Sequence, residues 1–272
     1  VKIAFWSPLH GTGASSGLIA MATAISVIYS EKTVVTQTHY NLNNLERPML
    51  GTAGNGDFFR DTGVDALIRF FKSGNITEEQ IENCSIKMSE TLYLLAGTKI
   101  HNREGFDNNI ARNMLAHIYS CLEKYYDLVL IDTNSGDNEM SMRIIEECDA
   151  VVVSLRQNRD FLDSFFENRL IDENKIFYLF NDYDSDSKYS MHNLRTLYKK
   201  MNLKNSSFIP HNTDYMDAIC DVKVMKFISE NLDIGKEMAN GYFFTNLRKT
   251  ISIFMDFIRE RKTERTRRDE AK

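Results

Sequence analysis

The sequence predicts an α/β fold of three layers, a mostly parallel β-sheet flanked by helices on both faces. Three observations predict it. Short apolar runs such as Leu128–Asp132 (LVLID) and Asp149–Ser154 (DAVVVS) recur along the chain, and they do not alternate with polar residues, as expected of strands covered on both faces. Segments with apolar residues at helical spacing lie between them. Strands and helices in alternation imply parallel pairing through right-handed crossovers.

Taken in order, Lys2–Trp6 (KIAFW) reads as a buried strand. A loop over 7–14 follows, then a helix over 15–29 rich in Ala, Ile and Met without proline. Thr33–Thr38 is the second strand. Asp61–Lys72 carries Val64, Leu67, Ile68 and Phe71 on one side of a helix that Gly74 ends. Thr77-Glu-Glu-Gln80 has the form of a capping box. Thr91–Leu95 is a strand, Asn108–Lys124 a helix, and Leu128–Asp132 the clearest strand of all. Asp149–Ser154, Lys175–Asn181 and the short Ser207–Ile209 complete the set. Tyr242–Arg261 reads as an amphipathic closing helix with Phe243, Leu247, Ile251, Phe254 and Ile258 on one side.

At 272 residues, 43% hydrophobic and 26% charged, the chain suits one globular domain, placed at 1–258, followed by a charged C-terminal tail at 259–272. The chain enters its first strand directly at Val1, which leads us to expect a further domain ahead of it. A net charge of −5 makes no strong case for a nucleic-acid partner. The four cysteines form no C-x-x-C pair and suit a reducing, cytoplasmic compartment. No signal peptide is visible, and no apolar run reaches the roughly 18 residues of a spanning helix. The six histidines show no zinc-ligand spacing.

The chemistry concentrates in the loop after the first strand, Ser7-Pro-Leu-His-Gly-Thr-Gly-Ala-Ser-Ser16. A strand, a glycine-bearing loop and a helix N-terminus form a phosphate-binding arrangement: free N–H groups and the positive end of the helix dipole face the anion, and glycines let the backbone come close. Two motifs compete for it. Thr12-Gly-Ala-Ser-Ser-Gly-Leu-Ile19 is similar to the TGxxxGIG segment of short-chain dehydrogenases, which take NAD(P). Against that reading, about five residues separate the motif from its strand, and no tyrosine has a lysine four residues on. The other is a degenerate Walker A loop, G-x-x-x-x-G-K-[ST]. Registered on Gly13, it puts Pro8 at the first glycine, Ala14 at the lysine and Ser15 at the Mg²⁺-binding hydroxyl.

The rest of the chain favours the Walker reading. Tyr126-Asp-Leu-Val-Leu-Ile-Asp-Thr-Asn-Ser-Gly136 resembles the Walker B strand and switch II of the MinD/ParA group of P-loop ATPases. Cys148–Ser154 resembles that group's next strand, and Asn41–Glu46 its stretch after the second strand. Order and spacing agree from Val1 to about Asn231. The resemblance implies a P-loop NTPase fold with ATP and Mg²⁺ as ligands. It implies phosphate contacts from Gly11, Thr12, Gly13, Ala14, Ser15 and Ser16, and metal contacts from Ser15 and Asp132. It implies that Asn181 reads the adenine base and that Pro210, in the segment Ile209–Ala218, closes over it. Within the group the chain resembles the TadZ/CpaE branch, which has atypical Walker A loops. That branch implies a homodimer that places bacterial pilus or secretion machinery, acting in the cytoplasm and recruited to a cell pole or membrane-associated assembly.

The sequence departs from the group at three charged positions. The lysine that reaches a partner's nucleotide falls on Leu9, the main loop lysine on Ala14, and the acidic pair after the second strand on Gln37 and His39. Backbone amides can still cradle phosphate. Each lost transition-state charge lowers the rate by about 10²–10³, so we expect a weak ATPase at most. His10, if protonated, replaces part of the charge, and His39 is a candidate base, although such histidines are more often simply solvated. An active DNA-binding partition ATPase is the alternative.

Overall fold

The computed structural model describes residues 1–39, 44–51, 62–74, 76–98, 109–168 and 171–270. Expectations that touch residues 41–43, Asp61, Asn108 and the last two positions lie outside these. The first half of the chain runs β1 (Lys2–Trp6), α1 (Ala14–Ile28), β2 (Thr33–Gln37), α2 (Glu46–Leu50), α3 (Gly63–Ser73), α4 (Glu78–Cys84), β3 (Ile86–Lys87), β4 (Leu92–Leu94) and α5 (Asn109–Leu122). The second half runs β5 (Leu128–Asp132), α6 (Glu139–Glu147), β6 (Ala150–Leu155), α7 (Arg159–Glu167), β7 (Ile176–Tyr183), α8 (Met191–Leu197), β8 (Ser206–Pro210), α9 (Thr213–Cys220), α10 (Val224–Asn231) and α11 (Gly241–Glu270).

The sheet order is β3-β4-β2-β5-β1-β6-β7-β8. Every pairing is parallel except β3 with β4. The expected three-layer α/β architecture is therefore the observed one. Strand β1 shows why its sequence is apolar throughout. Its residues alternate between faces: Ile3 and Phe5 enter the core under α1, α10 and α11, while Ala4 and Trp6 enter the core under α3 to α8. Helix α1 lies with residues 17–25 all buried, which accounts for its wealth of small and apolar side chains.

Helix α11 runs past its expected end at Arg261 to Glu270. Its apolar stripe packs on the core, with Phe243, Leu247, Ile251 and Phe254 buried. Further along, Arg265 donates to Glu123 (2.6 Å) and Asp149 (2.9 Å), so charge rather than apolar area holds the last turns. The capping box opening α4 forms as expected, with Thr77 and Gln80 each bonding the other's backbone N–H. Among the described residues no helix is long and apolar enough to cross a membrane.

Candidate functional site

The loop between β1 and α1 is fixed from below and left open above. The buried Ser7 hydroxyl donates to the Ser154 carbonyl of β6 (3.0 Å) and accepts from the Leu9 N–H (3.3 Å). Gly13, at φ 85°, turns the chain into α1. No side chain caps that helix, and its first turn carries no acidic residue. The first N–H groups of a helix have no intrahelical partner, so those of α1 remain available to an anion. Gly13 also has no room for a side chain, since a Cβ there would sit 2.9 Å from the Asn181 Cβ. One turn on, a Cβ at Gly17 would meet Asn181 Oδ1 at 2.5 Å. The two glycines let the start of α1 lie directly on Asn181, whose amide donates to Ser154 Oγ (3.1 Å).

Ser15 and Asp132 meet at the floor of the loop. Ser15 Oγ donates to Asp132 Oδ2 at 2.6 Å and accepts from Asn44 Nδ2 at 3.3 Å. Asp132 is completely buried and its Oδ1 has no partner. Burial pushes its pKa up to about 7, opposed by the Ser15 hydrogen bond. His39 is also buried, its Nδ1 unpartnered and 3.8 Å from Asp132 Oδ2. Burial first, and His10 second, lower the His39 pKa to about 4. At neutral pH the imidazole is therefore uncharged, and the two groups are not an ion pair. Each unpartnered buried atom costs about 1–3 kcal/mol, a cost that a bound cation and its water would remove.

A cavity of about 300 Å³ opens over these groups, bordered by Gly11, Thr12, Gly13, Ala14, Ser15, Ser16, His39 and Asp132. A second of about 260 Å³ is bordered by Asn181 and Pro210 and shares Gly11, Gly13 and Ser16 with the first. Small-molecule sites span roughly 300–1,000 Å³, and the two cavities side by side reach that range. All of the sequence-derived site residues border one or the other. The uncapped amides, the orphan carboxylate oxygen and the adjoining cavities fit a phosphorylated ligand with a divalent cation.

The charged positions that the sequence lacks behave differently from one another. Ala14 places a methyl group at the cavity where the motif has a lysine. Leu9 is 57% exposed and borders neither cavity. Gln37 turns to Glu46 (2.8 Å), which also accepts from the Gly97 N–H (2.7 Å). His10 is exposed at the cavity rim. The expectation of a solvated His39 is wrong: the histidine is buried and lines the cavity. The sheet order puts β2 beside β5, with Gln37 opposite Asp132, and so carries His39 to that carboxylate.

The order of strands also decides between the two glycine motifs. A dinucleotide-binding sheet has its second strand next to the first. Here β5 lies between β1 and β2, and β1 pairs with β5 and β6. The second glycine of the dehydrogenase-like motif, Gly17, serves packing against Asn181.

The sequence matches no family model and no curated protein. Solved structures do match. A ParA family ATPase from Chlorobium tepidum superposes with a TM-score of 0.67 at 13% identity, covering 89% of this chain and 96% of that one. A Borrelia burgdorferi protein described as a plasmid partition protein, bound to AMPPNP, gives 0.65 at 16% identity, covering 94% and 98%. The Pyrococcus horikoshii septum site-determining protein MinD, complexed with Mg-ADP, gives 0.63 at 16%, covering 90% and 93%. The fold is that of the ParA/MinD P-loop ATPases.

Proposed function

We propose that this chain binds ATP with a divalent cation, Mg²⁺ in the first instance, and acts as a nucleotide-dependent positioning or assembly protein that hydrolyses slowly or not at all. The observation that carries the reading is the Ser15–Asp132 pair at the uncapped start of α1. The phosphates lie on the amides of Gly11 to Ser16. Ser15 and Asp132 hold the cation and its water. Asn181 and Pro210 border the space left for the base. Support comes from the ligands of two fold neighbours, AMPPNP and Mg-ADP.

Slow turnover follows from the side chains that replace the charged ones. Ala14 offers no charge to the β/γ-phosphates, and Gln37 is engaged by Glu46. Leu9 removes the charged contact through which a nucleotide would bridge two copies. A homodimer would then rest on apolar surface such as Leu9 itself. The finer reading, in the manner of TadZ and CpaE, is placement of pilus or secretion machinery in the bacterial cytoplasm, recruited to a pole or a membrane-associated assembly.

The test is calorimetric titration with Mg-ATP, with NADPH as the control ligand. Saturable binding in the micromolar range is expected for ATP, weakened at least about tenfold by Asp132→Ala as for other metal-site losses, with no heat from NADPH. Absence of ATP binding at millimolar concentration would overturn the proposal.

A further inference from the structure

The cation site contains a donor that an oxygen-only Mg²⁺ site does not need. Three groups border one side of the same cavity: the Ser15 hydroxyl, the Asp132 carboxylate and the His39 imidazole. His39 is 93% buried, being 7% exposed, and its Nδ1 has no hydrogen-bond partner. Asp132 is wholly buried with Oδ1 unpartnered. Among the described residues no lysine or arginine pairs with that carboxylate, and the basic side chain beside it is His39.

The separation is informative. Nδ1 lies 3.8 Å from Asp132 Oδ2, too far for a hydrogen bond. Two ligands on one ion, each about 2.0–2.2 Å from it, stand about 3–4 Å apart. The gap is therefore the one expected between an imidazole and a carboxylate that share a cation. Mg²⁺ takes oxygen ligands and keeps its waters, whereas imidazole nitrogen suits first-row transition ions, whose affinity for it rises along the series from Mn²⁺.

We propose that His39 is a direct ligand of the cation beside Ser15 and Asp132, and that the site prefers a first-row transition ion such as Mn²⁺ or Co²⁺ to Mg²⁺. The location of the ion rests on the nucleotide reading above; its identity rests on His39. A bound transition ion also supplies a positive charge of its own in a loop that Ala14 leaves without one.

The experiment uses Mn²⁺ with AMPPNP and the wild-type chain labelled with ¹⁵N-histidine, read by pulsed electron paramagnetic resonance and by competition with Mg²⁺. The expected result is a ¹⁵N coupling of directly bound size, retained in His10→Ala and lost in His39→Asn, which offers an oxygen instead. Mn²⁺ should bind tighter than Mg²⁺, and His39→Asn should cut that preference by about tenfold or more. Binding of Mn²⁺ with AMPPNP but without histidine coupling, or with coupling that survives His39→Asn, overturns the inference and leaves the nucleotide reading standing. Because the wild-type coupling needs no variant, the inference stays open to refutation even where His39→Asn misfolds. Failure of AMPPNP to bind while Mn²⁺ alone still couples to His39 overturns the nucleotide reading and supports the metal assignment. Absence of both overturns both.

Discussion

Three neighbouring parallel strands, β5, β1 and β6, each run into a helix, but only two of those helices are closed by the chain itself. Asn138 accepts from the Ser141 N–H at the start of α6 (3.0 Å), and Asn158 accepts from the Phe161 N–H at the start of α7 (3.0 Å). Helix α1 begins at Gly13, which has no side chain to offer. A capped start satisfies a donor of its own and gains stability. An open start keeps its donors for an anion and draws that ligand to the middle of the sheet. The same contrast holds for the carboxylates. Asp163 accepts from Tyr198 (2.7 Å) and Arg159 (3.3 Å), while Asp132 is buried with one oxygen idle.

The largest test of this contrast is Asp132→Asn. The folded protein holds the Asp132 proton up to a pH of about 7, whereas the unfolded chain releases it near the ordinary carboxylate value of 3.8. Its folded pKa is the higher one, so stability is greatest below pH 3.8 and falls as pH rises to 7. The asparagine variant should therefore be more stable than the wild type at about pH 8 without ligand, by on the order of 4 kcal/mol, and the difference should close below about pH 4. Thermal melts at the two pH values check this, and equal melting at the higher pH would mean that Asp132 is not strained by its burial. The same variant should lose the cation dependence of ATP binding.

Ala14→Lys restores the absent charge at the open helix. A hydrogen bond to a charged group contributes about 1.5–3 kcal/mol, so ATP should bind roughly 10- to 100-fold tighter. Unchanged affinity would place the phosphates away from α1. Gly17→Ala forces a methyl group against Asn181 and should cost about 1–3 kcal/mol of stability by overpacking. Adding Asn181→Ala should recover most of that loss in a denaturant double-mutant cycle. The smallest effect belongs to a closed helix: Asn158→Ala should cost about 1 kcal/mol and leave ATP affinity alone. A change in affinity there would erase the distinction between open and closed starts.

The parts legible in the sequence are those written in a local pattern. The apolar runs of β1 and β5, the Thr77–Gln80 capping box and the glycine-bearing loop each declare themselves within about ten residues, because period and turn chemistry act at that range. Strand β3 does not, being two residues long and antiparallel. The last turns of α11 leave no local signal either, because ion pairs from Arg265 to Glu123 and Asp149, distant in sequence, hold them. The site divides in the same way. Ser15 and Asp132 stand in motifs. The burial of His39, the tie of Gln37 to Glu46 and the packing of Gly17 on Asn181 depend on which strands become neighbours, and only the sheet order contains that. A histidine at the end of a strand looks like a loop residue until β5 is laid beside β2.

Trp6 is the chain's sole tryptophan. It is fully buried at the end of β1, and its indole N–H donates to the carbonyl of Gly136 (2.8 Å), in the loop that follows Asp132. The protein thus carries its own optical reporter. Ultraviolet emission from this one indole should be blue-shifted at rest, and any rearrangement of the 133–137 loop that releases the Gly136 carbonyl should register as a change in its intensity and wavelength, with no dye attached.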